Sequence, residues 1–468
     1  MGVGTSPDSV TNGARPRVGV VLAAGRSQRL SKLTKGRSKA VVRIGGVSLV
    51  ERAVRTLEHA GCERVVVVVG YRAKEVGRAA RHAGGRVEVV VAPDWGAGNG
   101  ASLSAAERAV EGESSFVVLC GDHTFSPGAL EPLLESGSSA VLVDPRPSPE
   151  AWAEGTRVQV RDGTAVAFAK SLQDPAIDCG VFVLPQSVFA AARAGASEGD
   201  HSLAGAVTRL AGTTPIRAVS LAPGAWWQDV DTPADLRAAK RLVRRSLVKD
   251  TDGPVSRYLN RPISTRITMA LAPLHIPPNV FTVLILIVGV WAAWSLSASR
   301  AVVGAILTQA VSILDGVDGE TARLLDRTTR FGAQFDALAD RAVDAAIVAG
   351  LWLWSWDDPS RTFRIEMIAV AMIAWMILTQ ILYEPFDLIS RFDDREVPPA
   401  TALLGARDSR LLLIAGVSLF DQPVPAFLVG AFAYLSSGLH RILLVGGKRG
   451  GRDAPSGLTP PDEVRETA

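Results

Sequence analysis
The sequence predicts an α/β domain followed by an all-α domain of six transmembrane helices, and three observations carry that expectation. From residue 17 to about 249, short β-branched runs alternate with helical periodicity, the pattern of a mostly parallel sheet covered on both faces. Residues 280–298 form a 19-residue run without a charge, long enough to cross a bilayer. The apolar excess, 47% with a mean hydropathy of +0.21 over 468 residues, is unevenly spread along the chain. Such a length suits two or three domains.

Residues 1–16 are rich in Gly, Ser, Pro and Asn and have no apolar core. They read as a disordered tail and not as a signal peptide, so the domain that follows, 17–249, is expected in the cytosol. Residues 18–22 and 64–70 read as buried strands, 49–60 as a helix, and 116–120 as a strand closed by Gly121-Asp122. Ligands of such sheets bind beyond the carboxyl ends of the strands, which places Gly25 and Asp122 at one prospective site. Cys62, Cys120 and Cys179 are too few and too scattered for a disulfide framework or a zinc site, and read as small buried hydrophobes. Residues 236–249 read as a helix with a dense basic face, which either meets water or rests on anionic headgroups. The net charge of +3 is small for this length and gives no case for a nucleic-acid partner.

Composition shifts after Asp252, and 250–279 reads as a linker and juxtamembrane segment. Spans are expected near 280–298, 301–322, 335–356, 365–386, 409–421 and 424–445, within a domain covering 280–446 and followed by a second disordered tail, 447–468. Arg323, Arg327, Arg330, Arg391, Arg395, Arg407, Arg410, Arg441, Lys448 and Arg449 fall on one side of this topology, against Arg300, Arg361 and Arg364 on the other. Positive charge gathers on the cytosolic side. The expected product is therefore a multi-pass cell-membrane protein whose N-terminal domain, active sites and C-terminus are cytosolic.

Acidic residues inside the apolar region demand an explanation. Asp315 and Asp318 are three apart, Asp336 and Asp340 four apart, so each pair projects from one helix face. An Asp in a membrane helix is unfavourable by about 2.5–3.5 kcal/mol on insertion scales, which makes an accidental set improbable. Two facing helices would gather these carboxylates around hard divalent cations. Gly316, Gly319, Ala322 and Gly332 would let a nucleotide and neighbouring backbone approach closely.

The 315–340 run matches D-x2-D-G-x2-A-R-x8-G-x3-D-x3-D at every fixed position and so resembles the CDP-alcohol phosphotransferase family, over roughly residues 255–445. Pro278-Asn279-Val280-Phe281-Thr282 is similar to the start of that family's first helix. The resemblance implies a homodimer through the transmembrane domain, Mg²⁺ or Mn²⁺ at the cytosolic side, and a CDP-alcohol substrate. It further implies that Asp315, Asp318 and Asp336 bind metal and pyrophosphate, and that Gly319, Ala322 and Arg323 shape the nucleotide pocket. Asp340 would be the general base for the acceptor hydroxyl while also lying near a metal.

The first domain carries a second resemblance. Leu22-Ala23-Ala24-Gly25-Arg26-Ser27-Gln28-Arg29-Leu30 follows a strand and resembles the L-A-A-G-x-G-x-R loop of Rossmann-like, GT-A type nucleotidyltransferases, with Ser27 in place of the second glycine. Amides of such a loop can cradle a triphosphate, to which Arg29 adds charge. Lys39, ahead of Gly45-Gly46, is similar to the second family element and would neutralise the α-phosphate, although Ser38 stands where Pro is common. Asn99 and Ser102 fit the base-reading position, and Asp122 the metal carboxylate at a strand end. Trp227-Gln228-Asp229-Val230-Asp231-Thr232-Pro233 resembles the family's closing motif, in which either Asp229 or Asp231 completes the Mg²⁺ or Mn²⁺ site. Lys170, Asp178 and Gly180 lie where that family holds the phosphorylated acceptor. His123 beside Asp122 reads as a structural or specificity residue and not as a catalyst.

A cytidylyltransferase makes CDP-alcohols and a CDP-alcohol phosphotransferase consumes them. Their fusion resembles the bifunctional inositol-1-phosphate cytidylyltransferase and di-myo-inositol phosphate phosphate synthase family over nearly the whole length. That implies CTP and inositol 1-phosphate as substrates, CDP-inositol as intermediate and a second inositol phosphate as acceptor. Arg407 and Arg410, at the cytosolic start of the fifth span, are candidates for the acceptor phosphate, the alternative being headgroup anchors; Arg391 is a weaker candidate. Two other readings stand beside this one. The chain could make CDP-choline or another CDP-polyol for a lipid acceptor, or its first domain could be a non-catalytic regulator.

Overall fold
The computed structural model describes residues 15–26, 29–30, 34–137, 139–358 and 407–432, with positions 362, 367, 368 and 371 in between. Most of the tail 1–16, Ser27, Gln28, nearly all of the expected span 365–386, Arg391, Arg395, the end of the span 424–445 and the tail 447–468 lie outside the described residues. The chain divides into two compact units, Met1–Leu247 with Met269–His275, and Val248–Thr268 with Ile276–Ala468.

In the first unit the β-branched runs become strands β1 (Val18–Ala23), the hairpin β2 (Arg43–Ile44) and β3 (Val47–Ser48), β4 (Arg64–Val69), β5 (Val87–Val91), β6 (Ser115–Cys120) and β7 (His123–Phe125). Then follow β8 (Ala140–Asp144), β9 (Arg157–Arg161), β10 (Thr164–Ala169), β11 (Ile177–Pro185), β12 (Ile216–Ser220) and β13 (Trp227–Asp229). Nine of them form one sheet in the order β5-β4-β1-β6-β11-β8-β12-β10-β9. The expectation of a mostly parallel sheet holds for β5-β4-β1-β6 and for the β8–β12 pair, but β11 runs antiparallel to both β6 and β8 and the sheet as a whole is mixed. The reason lies in the connections. β9 and β10 are joined by a tight turn with Asp162 and Gly163 at positive φ, and no helix separates β10 from β11, so no crossover forces a parallel return.

Strand alternation divides the core between the two faces. Val18, Val20 and Leu22 of β1 join one cluster with Phe116, Phe182 and Phe189, while Val21 and Ala23 join another with Val54, Leu57 and Leu133. Helix α1 (Leu49–His59) starts at a capping box between Ser48 and Glu51 and packs Leu57 over Gly19, where a Cβ would meet Leu57 Cδ1 at 2.7 Å. Helices α2 (Ala73–Arg81), α3 (Asn99–Ser104), α4 (Ser187–Ser197), α5 (Leu203–Ala211) and α6 (Pro233–Arg245) complete the layers used below. Cys62 and Cys179 are buried and Cys120 partly so, all three as free thiols.

The second unit is helical. After α7 (Arg261–Leu271) come α8 (Pro278–Ser297), α9 (Ala301–Leu324), α10 (Arg330–Trp354), α11 (Arg407–Ser418) and the short apolar α12 (Pro423–Phe432). Helices α8 and α9 are long and apolar enough to cross a membrane; α10 is as long but carries more charge. Ile285, Val311, Val343, Ile347, Leu351, Ile414 and Phe427 form the shared core. Gly350 lets α10 meet the backbone of α8 at Ala293. On its other side α8 exposes Val283, Leu284, Ile287, Val290, Trp291 and Trp294. A helix apolar on both its packed and its exposed side suits hydrocarbon surroundings.

Glycine at position 19 is dictated by the approach of Leu57. Gly19→Val is expected to destabilise the first unit by about 1–3 kcal/mol through overpacking, read as a lower urea midpoint; an unchanged midpoint would mean that α1 moves away at no cost.

Candidate active sites
The first site forms where β1 and β6 end side by side. Gly121 follows β6 and its amide donates to the Leu22 carbonyl at 3.0 Å, which carries Asp122 to the edge of the loop after β1. The antiparallel pair β7–β13 aligns Asp229 with His123, and the Val230 amide donates to the Asp122 carbonyl at 3.2 Å. Sequence positions more than a hundred apart thereby become neighbours. Lys39 enters from a 3₁₀ turn, Lys39–Val41, whose preceding Ser38 caps it by accepting from the Ala40 amide. The Lys39 ammonium sits 2.5 Å from Asp122 Oδ2 and also contacts Asp231 Oδ1. Arg29 reaches Asp231 at 2.5 Å and Glu154 at 2.6 Å.

Charge balance sets the protonation of this group. Burial disfavours charge on Lys39, but Asp122, Asp229 and Asp231 outweigh it and hold the ammonium above the ordinary lysine range. Burial likewise opposes ionisation of Asp122, yet Lys39 and His123 keep its carboxyl well below the usual range. Asp229 is pushed up to about 6, chiefly by burial, with His123 opposing and Asp122 adding. His123 would be lowered by burial but is raised to about 9 by Asp229 and Asp122. Its Nδ1 lies 2.8 Å from Asp122 Oδ1, and its ring stacks on Trp227 with centroids 5.5 Å apart. Gly180, at φ +72°, leaves the space that the His123 ring occupies.

Two adjoining cavities share Arg29, Asn99, Asp122 and Asp231. The smaller, about 380 Å³, is also lined by Gly25, Arg26 and Lys39. The larger, about 770 Å³, holds Lys170, Asp178, Gly180, His123 and Asp229. Asp178 accepts from the Gly180 amide at 2.9 Å, and burial raises its carboxyl above the ordinary value. Leu22, Ala23 and Ala24 are buried at the end of β1, next to the cavities but not in their lining. Ser102 is buried within α3, and its hydroxyl donates to the Gly98 carbonyl at 3.4 Å. Glu154, Thr156 and His201 line the larger cavity without any motif announcing them.

The second site lies among α9, α10 and α11. One oxygen from each of Asp315, Asp336 and Asp340 lies within 4.8 Å of the others. Arg407 binds this group together, with contacts of 2.5 Å to Asp315, 2.9 Å to Asp340 and 2.9 Å to Asp344. Arg410 stands 3.6 Å from Asp344. Both arginines expected at an acceptor phosphate thus lie against carboxylates. Asp344 extends the Asp336–Asp340 spacing by one further turn, a signal present in the sequence and passed over. Asp318 is buried and takes hydrogen bonds from Thr282 at 2.6 Å and from the Gly319 amide at 2.5 Å. Gly319, Ala322 and Arg323 follow on the last turns of α9. Glu320, fully buried, accepts from Ser264, Thr268 and Arg261.

Both carboxylate groups fit a divalent cation. Each offers three carboxylates and so an oxygen-only donor set, the chemistry of hard ions. Asp229 Oδ1 is buried without a hydrogen-bond partner, as a ligand atom would be.

An α/β sheet with a lysine–carboxylate centre beside its first loop, followed by apolar helices and a stripe of aspartates, defines a nucleotidyltransferase joined to a CDP-alcohol phosphotransferase. Residues 19–213 match the family of MobA-like NTP transferase domains, and 275–436 match the CDP-alcohol phosphatidyltransferase family. The bifunctional IPC transferase and DIPP synthase of Rubrobacter xylanophilus is 36% identical over 449 residues, 95% of this chain and 99% of its own. That of Thermococcus kodakarensis is 33% identical over 405 residues, 85% and 89% of the two chains. The solved inositol-1-phosphate CTP transferase from T. maritima aligns at 27% identity with a TM-score of 0.46, over 49% of this chain and 96% of that one. The chain belongs to the family of bifunctional IPC transferases and DIPP synthases.

The His123 pair gives a pH signature. Its folded value of about 9 exceeds the ordinary 6.5, so its stabilising contribution is complete below about pH 6.5 and is lost as the pH rises through 9. The melting temperature of the wild type should fall across that window more than that of His123→Gln; parallel curves would contradict the assignment.

Proposed function
We propose that the first site joins CTP to inositol 1-phosphate, giving CDP-inositol and pyrophosphate. The observation that carries this reading is Lys39 in the smaller cavity, set between Asp122 and Asp231, the two aspartates that line both cavities. Gly25, Arg26 and Arg29 would hold the triphosphate in the smaller cavity, and Asn99 would lie at the base. Lys170, Asp178 and Gly180 would hold the phosphoalcohol in the larger one. An acceptor phosphate oxygen attacks the α-phosphorus, the bond to the β-phosphate breaks, and pyrophosphate leaves. Lys39 offsets the charge that grows on the α-phosphate oxygens. Asp122 would hold a divalent cation with Asp229, whose buried Oδ1 makes no hydrogen bond and lies 3.9 Å from His123, which makes it the better second ligand than Asp231, already paired to Lys39 and Arg29.

In the membrane domain, taken to cover 280–446 as six spans in a homodimer with its site on the cytosolic side, CDP-inositol is the donor. Asp340 takes the proton of the acceptor hydroxyl, the resulting oxygen attacks the phosphoinositol phosphorus, and the bond to CMP breaks. Asp315, Asp318 and Asp336 would hold Mg²⁺ or Mn²⁺, as the first site would; bound there, such an ion neutralises phosphate charge and stabilises the leaving group. Gly319, Ala322 and Arg323 would border the nucleotide. A second inositol phosphate is the proposed acceptor, with Arg407 and Arg410 shared between its phosphate and the carboxylates that they touch. The product is di-myo-inositol phosphate phosphate, a phosphorylated precursor of a compatible solute.

Purified full-length protein, offered Mg²⁺, CTP and single phosphoalcohols, tests the reading through pyrophosphate release and then CMP release. No pyrophosphate with inositol 1-phosphate would contradict the donor, and CMP release that depends on added lipid would contradict the acceptor. Asp122→Asn should lower pyrophosphate release by about 10²-fold or more while sparing CMP release from supplied CDP-inositol, and Asp340→Asn should do the reverse, by about 10²–10⁴-fold for a lost general base. Loss of both activities in either variant would contradict the division of labour.

A further inference from the structure
The membrane site depends on Arg407, and Arg407 stands at the start of α11 beside Asp408. Asp408 does not join the metal-ligating group. Its Oδ1 accepts from Ser312 Oγ at 2.8 Å and from Asn260 Nδ2 at 3.0 Å. Asn260, 1% exposed, also donates to the hydroxyl and carbonyl of Ser312 at 2.9 and 3.3 Å, and its Oδ1 accepts from Gln309 at 3.1 Å. Both polar ends of one buried amide are therefore used. Asn260 ends the wide helical turn Ser256–Asn260, a segment outside the aspartate motif and apart from the helices that carry it.

The spacing gives this network its meaning. Ser312 and Asp315 are one turn apart on α9, and they meet consecutive residues of α11, Asp408 and Arg407. Two adjacent anchor points fix how α11 is rotated and how far it slides along α9. Without the Asn260–Ser312–Asp408 anchor, the guanidinium could drift from Asp315 and Asp340 while the helix stayed folded. An amide suits position 260 because it donates to a carboxylate and accepts from Gln309 at once; a carboxylate there would face Asp408 with like charge.

We propose that Asn260 is a positioning residue for phosphoryl transfer, acting through Asp408 to hold Arg407 on Asp315 and Asp340. The proposal rests on the phosphotransfer reading of the membrane site but not on the identity of the alcohol.

The test uses the full chain in lipid nanodiscs, with CMP release from CDP-inositol and inositol 1-phosphate as the readout and pyrophosphate release from CTP and inositol 1-phosphate in the same preparation as the internal control. Asn260→Asp and Asp408→Asn are each expected to lower kcat for CMP release by about 10-fold or more, the scale typical of outer partners of a metal site. The double variant N260D/D408N restores one donor facing one acceptor and should recover to within about threefold of wild type, which a merely space-filling role would not produce. Ser312→Ala, a smaller change, is expected to lower kcat severalfold with an unchanged melting profile, and so keeps the test decisive if a single variant misfolds. Wild-type kcat in Asn260→Asp, or a double variant no better than the singles, would overturn the proposal. If wild-type protein releases CMP only with another CDP-alcohol, the donor reading fails instead, and the same variants are compared with that donor.

Discussion
Two like charges about 4 Å apart repel by roughly 4 kcal/mol at an effective dielectric constant of 20, and each site of this chain brings three carboxylates within 4.8 Å of one another. Each group therefore calls for cationic partners. In the first site Lys39 lies between Asp122 and Asp231; in the second Arg407 spans Asp315, Asp340 and Asp344. The choice of cation follows the geometry. In the first site the Lys39 ammonium is joined by Arg29 at Asp231 and by His123 at Asp122, whereas the fork of the Arg407 guanidinium alone reaches carboxylates on two different helices. The rest of each unit delivers these charges to the same place.

Delivery is achieved by unlike means. In the α/β unit, hydrogen-bond register does the work: parallel β1 and β6 end level with each other, and the short β7–β13 pair brings the closing motif to Asp122. In the helical unit, spacing along helices does it. Asp336, Asp340 and Asp344 recur on one face of α10, Asp315 faces them from α9, and α11 contributes Arg407 at its first residue. Small residues permit the approach, as where Gly350 meets the backbone at Ala293. Register and helical spacing are both rigid devices, which suits sites whose chemistry depends on placing charge to within a fraction of an ångström.

What was legible in the sequence was what local pattern encodes. Strands β1, β4 and β6, helix α1 and the start of α8 stood in apolar periodicity and capping residues, and the paired aspartates stood in their spacing. The antiparallel placement of β11 was not legible, because direction within a sheet is set by connections and neighbours, not by the strand's own residues. Glu154 reaches the larger cavity from the end of a short helix, Pro149–Glu154, and His201 from a loop, and neither segment's sequence carries a site signal. The pairing of Asn260 with Asp408 was equally hidden, since a lone Asn ahead of a helix reads as a turn residue until tertiary packing gives it a partner 148 positions away.

Placing a CDP-alcohol producer and a CDP-alcohol consumer on one polypeptide makes chemical sense when the intermediate has no other use. The central claim is that the two carboxylate centres act in succession on one small polar alcohol. It is tested most directly by supplying the full chain with CTP, a divalent cation and isotopically labelled inositol 1-phosphate, and then following pyrophosphate, CMP and the label together. The account predicts that CMP approaches one equivalent per pyrophosphate and that the label ends in a water-soluble phosphodiester containing two inositols per CMP. Pyrophosphate without CMP, or label recovered in the lipid extract, would contradict it.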